Sequence, residues 1–322
     1  MKDNLLWSLS FSVGSNSIPI LPGDPFLHLG SCFAEVLGKE MAVLGWPSLT
    51  SPLGIAYNPL SILQQLQYIT GMQRLSEKDL FQAEEQWKHY DFHSSLARPN
   101  REESMQCIQS SILKVRVFLE NCSYAVITLG TSIVHELKET GQTVNNRHKQ
   151  AAHLFQARFL SISEIVEALG KIQSILLEQF QLKQIIWTVS PVRHVRSGLI
   201  ENNRSKARLL VALEKVTEGI PRQEYFPSYE LLIDVLRDHR FYASDLVHPS
   251  KEAEKWIIDQ FVASNFSSEA QGAWSDLVRL HKLAAHLPMN HASSVVRNHH
   301  QKVSDLTKEL RTKYPWITVS ES

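Results

Sequence analysis

A serine set between a glycine and a helical pattern, and an aspartate three residues before a histidine far downstream, are the residue types in this chain whose placement could do chemistry. Gly30-Ser31-Cys32 follows a short apolar run and opens an amphipathic stretch. A serine at such a strand-to-helix turn exposes its Oγ, and its own N–H and its neighbour's are left to point at a site. That suits a nucleophile whose backbone also helps hold an oxyanion. It equally suits a plain N-cap, which serine favours. Asp245 and His248 can fold together within one turn, so that the carboxylate fixes Nδ1 and turns Nε2 toward a nucleophile. With Pro249 read as the first residue of a helix, His248 would sit at its N-terminus, where the helix dipole disfavours the imidazolium. A loop aspartate and a surface histidine that merely cap that helix would leave the same residues.

Cys32 competes with Ser31, because a thiol at a helix N-terminus has a lowered pKa. Adjacent residues at such a turn point in different directions, so only one of the two can face His248. A buried cysteine is more often inert packing.

The elements that must position these residues follow from periodicity. Phe26 to Gly30 reads as a strand and Cys32 to Leu44 as the helix after it. A second strand is expected near Ser48 to Ser51, then a helix opened by Asn58 and Pro59, a favourable N-cap and N1 pair. Tyr124 to Leu129 and Ile185 to Val189 are the clearest buried strands. Between them, Ser161 and Glu164 form a capping box that starts a helix running to about Phe180. Further helices are expected over about Asn203 to Glu218 and from Pro249 to about Phe261. Strands alternating with helices predict an α/β fold around a parallel sheet, with ligands outside the carboxyl ends of the strands. Residues 1–262 then form one domain, and 263–322 a helical C-terminal extension broken at Pro288.

Composition narrows the function. The 322 residues are 43% hydrophobic, enough for one large core, and 33 basic residues balance 33 acidic ones. Without a basic run no nucleic-acid partner is expected, and small or neutral substrates are. Cys32, Cys107 and Cys122 form no CxxC pair or zinc spacing, so neither a disulfide framework nor a metal site is expected. Met1 to Pro22 has no continuous apolar core of a signal peptide and nothing later resembles a spanning helix, which predicts a cytoplasmic protein without membrane association. No GxGxxG or Walker A loop points to a cofactor.

The Gly30-Ser31-Cys32-Phe33-Ala34 pentapeptide resembles the signature of the GSCFA family, which is similar to SGNH/GDSL hydrolases. Further blocks agree in order: Ser51-Pro52-Leu53-Gly54-Ile55 with Tyr57-Asn58-Pro59, Asp91-Phe92-His93-Ser94, Thr128-Leu129-Gly130-Thr131, Asn146-Arg147-His148-Lys149, Val189-Ser190-Pro191-Val192-Arg193-His194, Tyr225-Phe226-Pro227-Ser228-Tyr229-Glu230 and Asp245-Leu246-Val247-His248-Pro249. Together they cover roughly Phe26 to Phe261.

The resemblance implies a three-layer α/β/α, flavodoxin-like sheet in which Ser31 attacks, His248 takes its proton and Asp245 orients His248. It also implies an oxyanion hole built from the Ser31 N–H, the Gly54 N–H and a third donor. The general SGNH pattern supplies that donor from the asparagine of GxND, whereas this chain has Gly130-Thr131-Ser132-Ile133. Thr131 is the substitute nearest in sequence, with Asn146 or His148 as others. Asn58, His93, Ser94, Asn146, His148 and Lys149 are the substrate-binding candidates, although Asn58 is also explained as an N-cap. The family often has cysteine where Arg147 stands, a change that leaves the flanking asparagine, histidine and lysine in place.

The expected activity is acyl transfer through an acyl-enzyme on a carboxylic ester, with an acylated carbohydrate as the implied substrate and water or a sugar hydroxyl as acceptor. A catalytically weak glycan- or ligand-binding module on the same fold is the alternative. A thiol enzyme using Cys32 is a third.

Overall fold

The computed structural model describes residues 9–286 and 293–317; Met1 to Ser8 and the expected break at Pro288 lie outside them. Strands β1 (Phe26–Gly30), β2 (Ser48–Thr50), β3 (Leu80–Ala83), β4 (Gln86–His89), β5 (Tyr124–Leu129), β6 (Ile133–Leu137), β7 (Thr143–Val144), β8 (Phe155–Phe159), β9 (Gln184–Val189) and β10 (Gln223–Tyr225) alternate with helices. Those are α1 (Cys32–Val43), α2 (Pro59–Thr70), α3 (Arg101–Leu119), α4 (Ile162–Gln173), α5 (Leu199–Thr217), the short α6 (Ser228–Glu230), α7 (Lys251–Asn265), α8 (Ser268–Ala285) and α9 (Ser293–Lys313).

The central sheet is parallel with order β10-β9-β5-β1-β2, which renumbered by strand is the flavodoxin-like 2-1-3-4-5. Every residue of β1, β5 and β9 is buried, as strands covered on both faces require. Their side chains divide by period two. Leu27, Leu29, Ala125, Ile127, Leu129, Ile185, Trp187 and Val189 pack with α2, α3, α4 and α5 on one face. Phe26, Tyr124, Val126 and Ile186 pack with α1, α7 and α8 on the other, giving three layers. Trp274 of α8 and Leu310 and Tyr314 at the end of α9 belong to that second apolar cluster, together with Trp46 and Phe266.

Several expected boundaries agree with the structure. Asn58 caps α2 by accepting from the Ser61 N–H, with Pro59 at N1. The Ser161–Glu164 capping box is formed, and α4 runs on through a wider turn to Phe180. Two helix starts differ. Helix α5 begins at Leu199 rather than Asn203, after Gly198. Helix α7 begins at Lys251, because the Ser250 side chain accepts from the Ala253 N–H and takes the N-cap role, while Pro249 pairs with Tyr242 as an isolated bridge. His248 therefore lies before the cap rather than at the helix end, and the expected dipole effect on it does not apply. Two small antiparallel sheets, β3-β4 and β7-β6-β8, were not anticipated. They hold the loops that flank the carboxyl edge of the main sheet.

One core residue makes stability depend on pH. His28, in the middle of β1, is fully buried, neither ring nitrogen has a hydrogen-bond partner, and Gly38 of α1 closes over the ring. Burial pushes its pKa from 6.5 to about 3. The unfolded chain accepts a proton near pH 6.5 and the folded chain does not, so this contribution is intact above 6.5 and declines as pH falls from there toward 3. We expect the melting temperature to drop between pH 7 and pH 4.5, and the drop to be smaller in His28→Leu. An equal drop in both proteins would refute this assignment.

Candidate functional site

Order reverses in the sheet between β1 and β5, the switch point where α/β sheets open a crevice. Ser31 leaves β1 there and Gly130 leaves β5. The two are adjacent: a Cβ placed on Gly130 would lie 3.0 Å from Ser31 Oγ.

Ser31 occupies the N-cap of α1, with extended backbone at φ −83° and ψ 178°, yet its side chain makes no cap bond. Its Oγ is buried and without a hydrogen-bond partner. A buried hydroxyl in that condition is uncommon. The Ser31 N–H differs from expectation. It donates to Thr128 O at 2.8 Å, continuing the β1–β5 pairing, so it is not free. The neighbouring thiol also differs. Burial pushes the Cys32 pKa up, against the opposing effect of the adjacent Ser31 hydroxyl, so desolvation outweighs the helix terminus and the group stays a thiol.

Asp245 and His248 form the unit their spacing predicts. His248 Nδ1 lies 2.7 Å from Asp245 Oδ2, while Asp245 Oδ1 accepts from the N–H groups of Val247 (2.9 Å) and His248 (3.0 Å). The two backbone donors, with the imidazole third, hold the Asp245 pKa down to about 2. The carboxylate is thus held ionised, and an ionised acceptor at Nδ1 favours the tautomer in which Nδ1 carries the hydrogen and Nε2 accepts. Leu246 between them has φ +56°, the strained turn that lets three donors from Val247 and His248 close on one carboxylate.

The dyad is half exposed and Ser31 Oγ bonds nothing, so no hydrogen bond joins them here. A run of neighbours lies between. Tyr57 is close enough to the Cys32 thiol to interact with it. The Tyr57 ring meets His194 edge-on at 5.5 Å. His194 is held down to about 4 by burial, then by the charges of Lys206 and His248.

The expected oxyanion donors are each engaged elsewhere. Gly54 N–H donates to Ser51 O (2.8 Å) and Thr131 N–H to Tyr57 O (2.9 Å). The Thr131 hydroxyl lies 2.9 Å from Ser205 Oγ and accepts from the Ile133 N–H. Among the substrate-binding candidates, Asn58 is buried and committed to Ser61 through both ends of its amide. His148 is buried, with Nδ1 3.0 Å from Ser94 Oγ and Nε2 2.8 Å from His89 O. Asn146 accepts from the His148 N–H. These bonds tie the Asn58 amide, the Asn146 side-chain oxygen and both His148 ring nitrogens into the loops. His93 and Lys149 are exposed, and His93 backs onto Gly54.

Lys206 was missed. It is buried, on the inner face of α5, and its Nζ donates to Gly130 O (2.7 Å) and Ser190 O (2.6 Å). Asn202 and Ser205 stand beside it on the same face, bonding the His194 N–H and the Ser132 N–H. The signal was present: 202, 205 and 206 share the helical face of Leu209, Ala212, Leu213 and Val216, where polar residues need a reason to be.

No helix among the described residues is long and apolar enough to cross a membrane. Among solved structures, a carbohydrate esterase family 3 from Talaromyces cellulolyticus is similar at 8% identity, covering 82% of this chain and 98% of its own, with a TM-score of 0.34. No curated protein matches the chain. The sequence model of the GSCFA family matches residues 25–261, a span that begins just before β1 and ends within α7, and the chain belongs to that family.

Proposed function

We propose that this protein is a serine esterase or acyltransferase in which Ser31 is the nucleophile, His248 the base and Asp245 its orienter. The observation that carries the reading is the Ser31 Oγ, buried at an N-cap it does not make and left without a partner at the switch point of the sheet. The Asp245–His248 pair, bonded at 2.7 Å with Nε2 left over, supplies what that hydroxyl lacks. Ser31 Oγ attacks the ester carbonyl as its proton passes to His248 Nε2. The carbonyl π electrons move to oxygen, then return as the C–O bond to the alcohol breaks, and the leaving oxygen takes the proton from His248. Water or a sugar hydroxyl repeats the sequence on the acyl-serine. An acylated carbohydrate is the substrate class that the likeness to SGNH hydrolases suggests.

The oxyanion forms at the N-terminus of α1, where the Cys32 and Phe33 N–H groups precede any intrahelical acceptor, although the Ala34 N–H already donates to Ser31 O. Recruiting the Ser31 and Gly54 N–H groups as well requires them to leave Thr128 O and Ser51 O. That engagement favours the second reading, a binding module with little turnover.

A fluorophosphonate probe separates the two. Labelling of wild type at Ser31, located by peptide mass spectrometry and lost in Ser31→Ala, is the expected result. A folded, unlabelled wild type supports the binding module instead.

A further inference from the structure

The expected catalytic groups leave one buried ionisable side chain beside Ser31 without a role. Lys206 is 1% exposed, its Nζ reaches two backbone carbonyls, and among the described residues no carboxylate pairs with it. Removing an ammonium from water without a counter-ion costs several kcal/mol even after relaxation. A neutral side chain could bond two carbonyls without that cost, so the charge calls for an explanation at this position.

The two carbonyls belong to Gly130 and Ser190, the residues directly after β5 and β9. Their N–H groups are fixed as well, Gly130 to Tyr57 O and Ser190 to Leu129 O, both at 2.8 Å. Gly130 is thus held through both its N–H and its carbonyl, and it lies beside Ser31, whose Oγ would stand 3.0 Å from a Cβ at Gly130. We propose, building on the reading of Ser31 as nucleophile, that Lys206 is a positioning residue. Its ammonium clamps the carboxyl ends of β5 and β9, which keeps the Gly130 peptide against the Ser31 hydroxyl and places a positive charge beneath the atom where negative charge develops.

Cationic Lys206 gives both carbonyls a charge-assisted donor, whereas the neutral amine gives weaker bonds and no field. The groups that face it are Cys32 on α1, which as a neutral thiol brings no counter-charge, and His194 before α5, whose own protonation it opposes. Burial brings the Lys206 pKa down to about 7, so the clamp weakens as pH rises above neutrality.

The test is the rate at which a fluorophosphonate labels Ser31 in wild type, Lys206→Met and Lys206→Gln, with melting curves to establish folding. The maximal labelling rate should fall about 10- to 100-fold in both variants, the effect of a small misplacement, while the half-saturating probe concentration stays within about twofold. Wild type should also slow between pH 7 and pH 9. A folded variant that labels at the wild-type maximal rate overturns the proposal, as does a wild-type rate that climbs steadily to pH 9. The wild-type profile decides the matter even if neither variant folds. Absence of labelling in wild type removes Ser31 as nucleophile and this role with it, an outcome distinct from equal labelling of all three proteins.

Discussion

Ser31→Ala should lower kcat/KM for a short-chain aryl ester by about four to six orders of magnitude, and His248→Ala by a similar factor, since members of a catalytic triad act as one unit. The double variant should be no slower than either single one. That non-additivity matters more than the size of the loss, because two residues contributing independently would multiply their effects. Steady-state assay of the four proteins checks it. Neither substitution should disturb the fold: Ser31 Oγ bonds nothing, and the His248 side chain bonds only Asp245 within its own loop. Matching rates in wild type and both single variants would refute the mechanism.

Gly30→Ala should be the most damaging single methyl group near the site. Gly30 closes β1 at φ +111°, and an added Cβ would fall 2.1 Å from Thr128 O and 2.9 Å from its carbon. Both are backbone atoms of the central strand, which cannot step aside. We expect a loss of about 3–5 kcal/mol in unfolding free energy, measured by urea denaturation, and failure of Ser31 to label in whatever remains folded. Gly141 provides the control. It too has positive φ, at +71°, but nothing lies within 4 Å of an added Cβ, so Gly141→Ala should cost only about 1–2 kcal/mol. Similar losses at both positions would mean that backbone conformation, not contact with β5, sets the cost.

The sequence disclosed most where one local rule decides the outcome. Strands β1, β5 and β9 are short apolar runs with no competing pattern, and the Ser161–Glu164 and Asn58–Pro59 signals are purely local. The Asp245–His248 contact is legible for the same reason, since three residues suffice to make it. The start of α7 is not, because Pro249 and Ser250 compete to open the helix and the pairing of Pro249 with Tyr242 is a tertiary fact. Hydrogen bonds that depend on distant strands were misread. The Ser31 N–H looks free from its own neighbourhood and is claimed by Thr128, almost a hundred residues later. Cys32 shows a contest of magnitudes, in which the helix terminus is visible in sequence and the burial that outweighs it is not. Lys206 escaped because a lysine in a helix reads as solvent-facing until its neighbours at helical spacing are compared.

In the proposed mechanism the Asp245–His248 turn bears on how Ser31 would be engaged. Every bond that fixes the carboxylate comes from residues 245 to 248, so the base carries its own alignment wherever that segment travels. A shift of several ångströms would alter the frequency of encounters with the serine and leave the tautomer untouched. In the proposed mechanism such a device would separate arming from firing: the imidazole would be ready before the substrate comes, with only docking left to control.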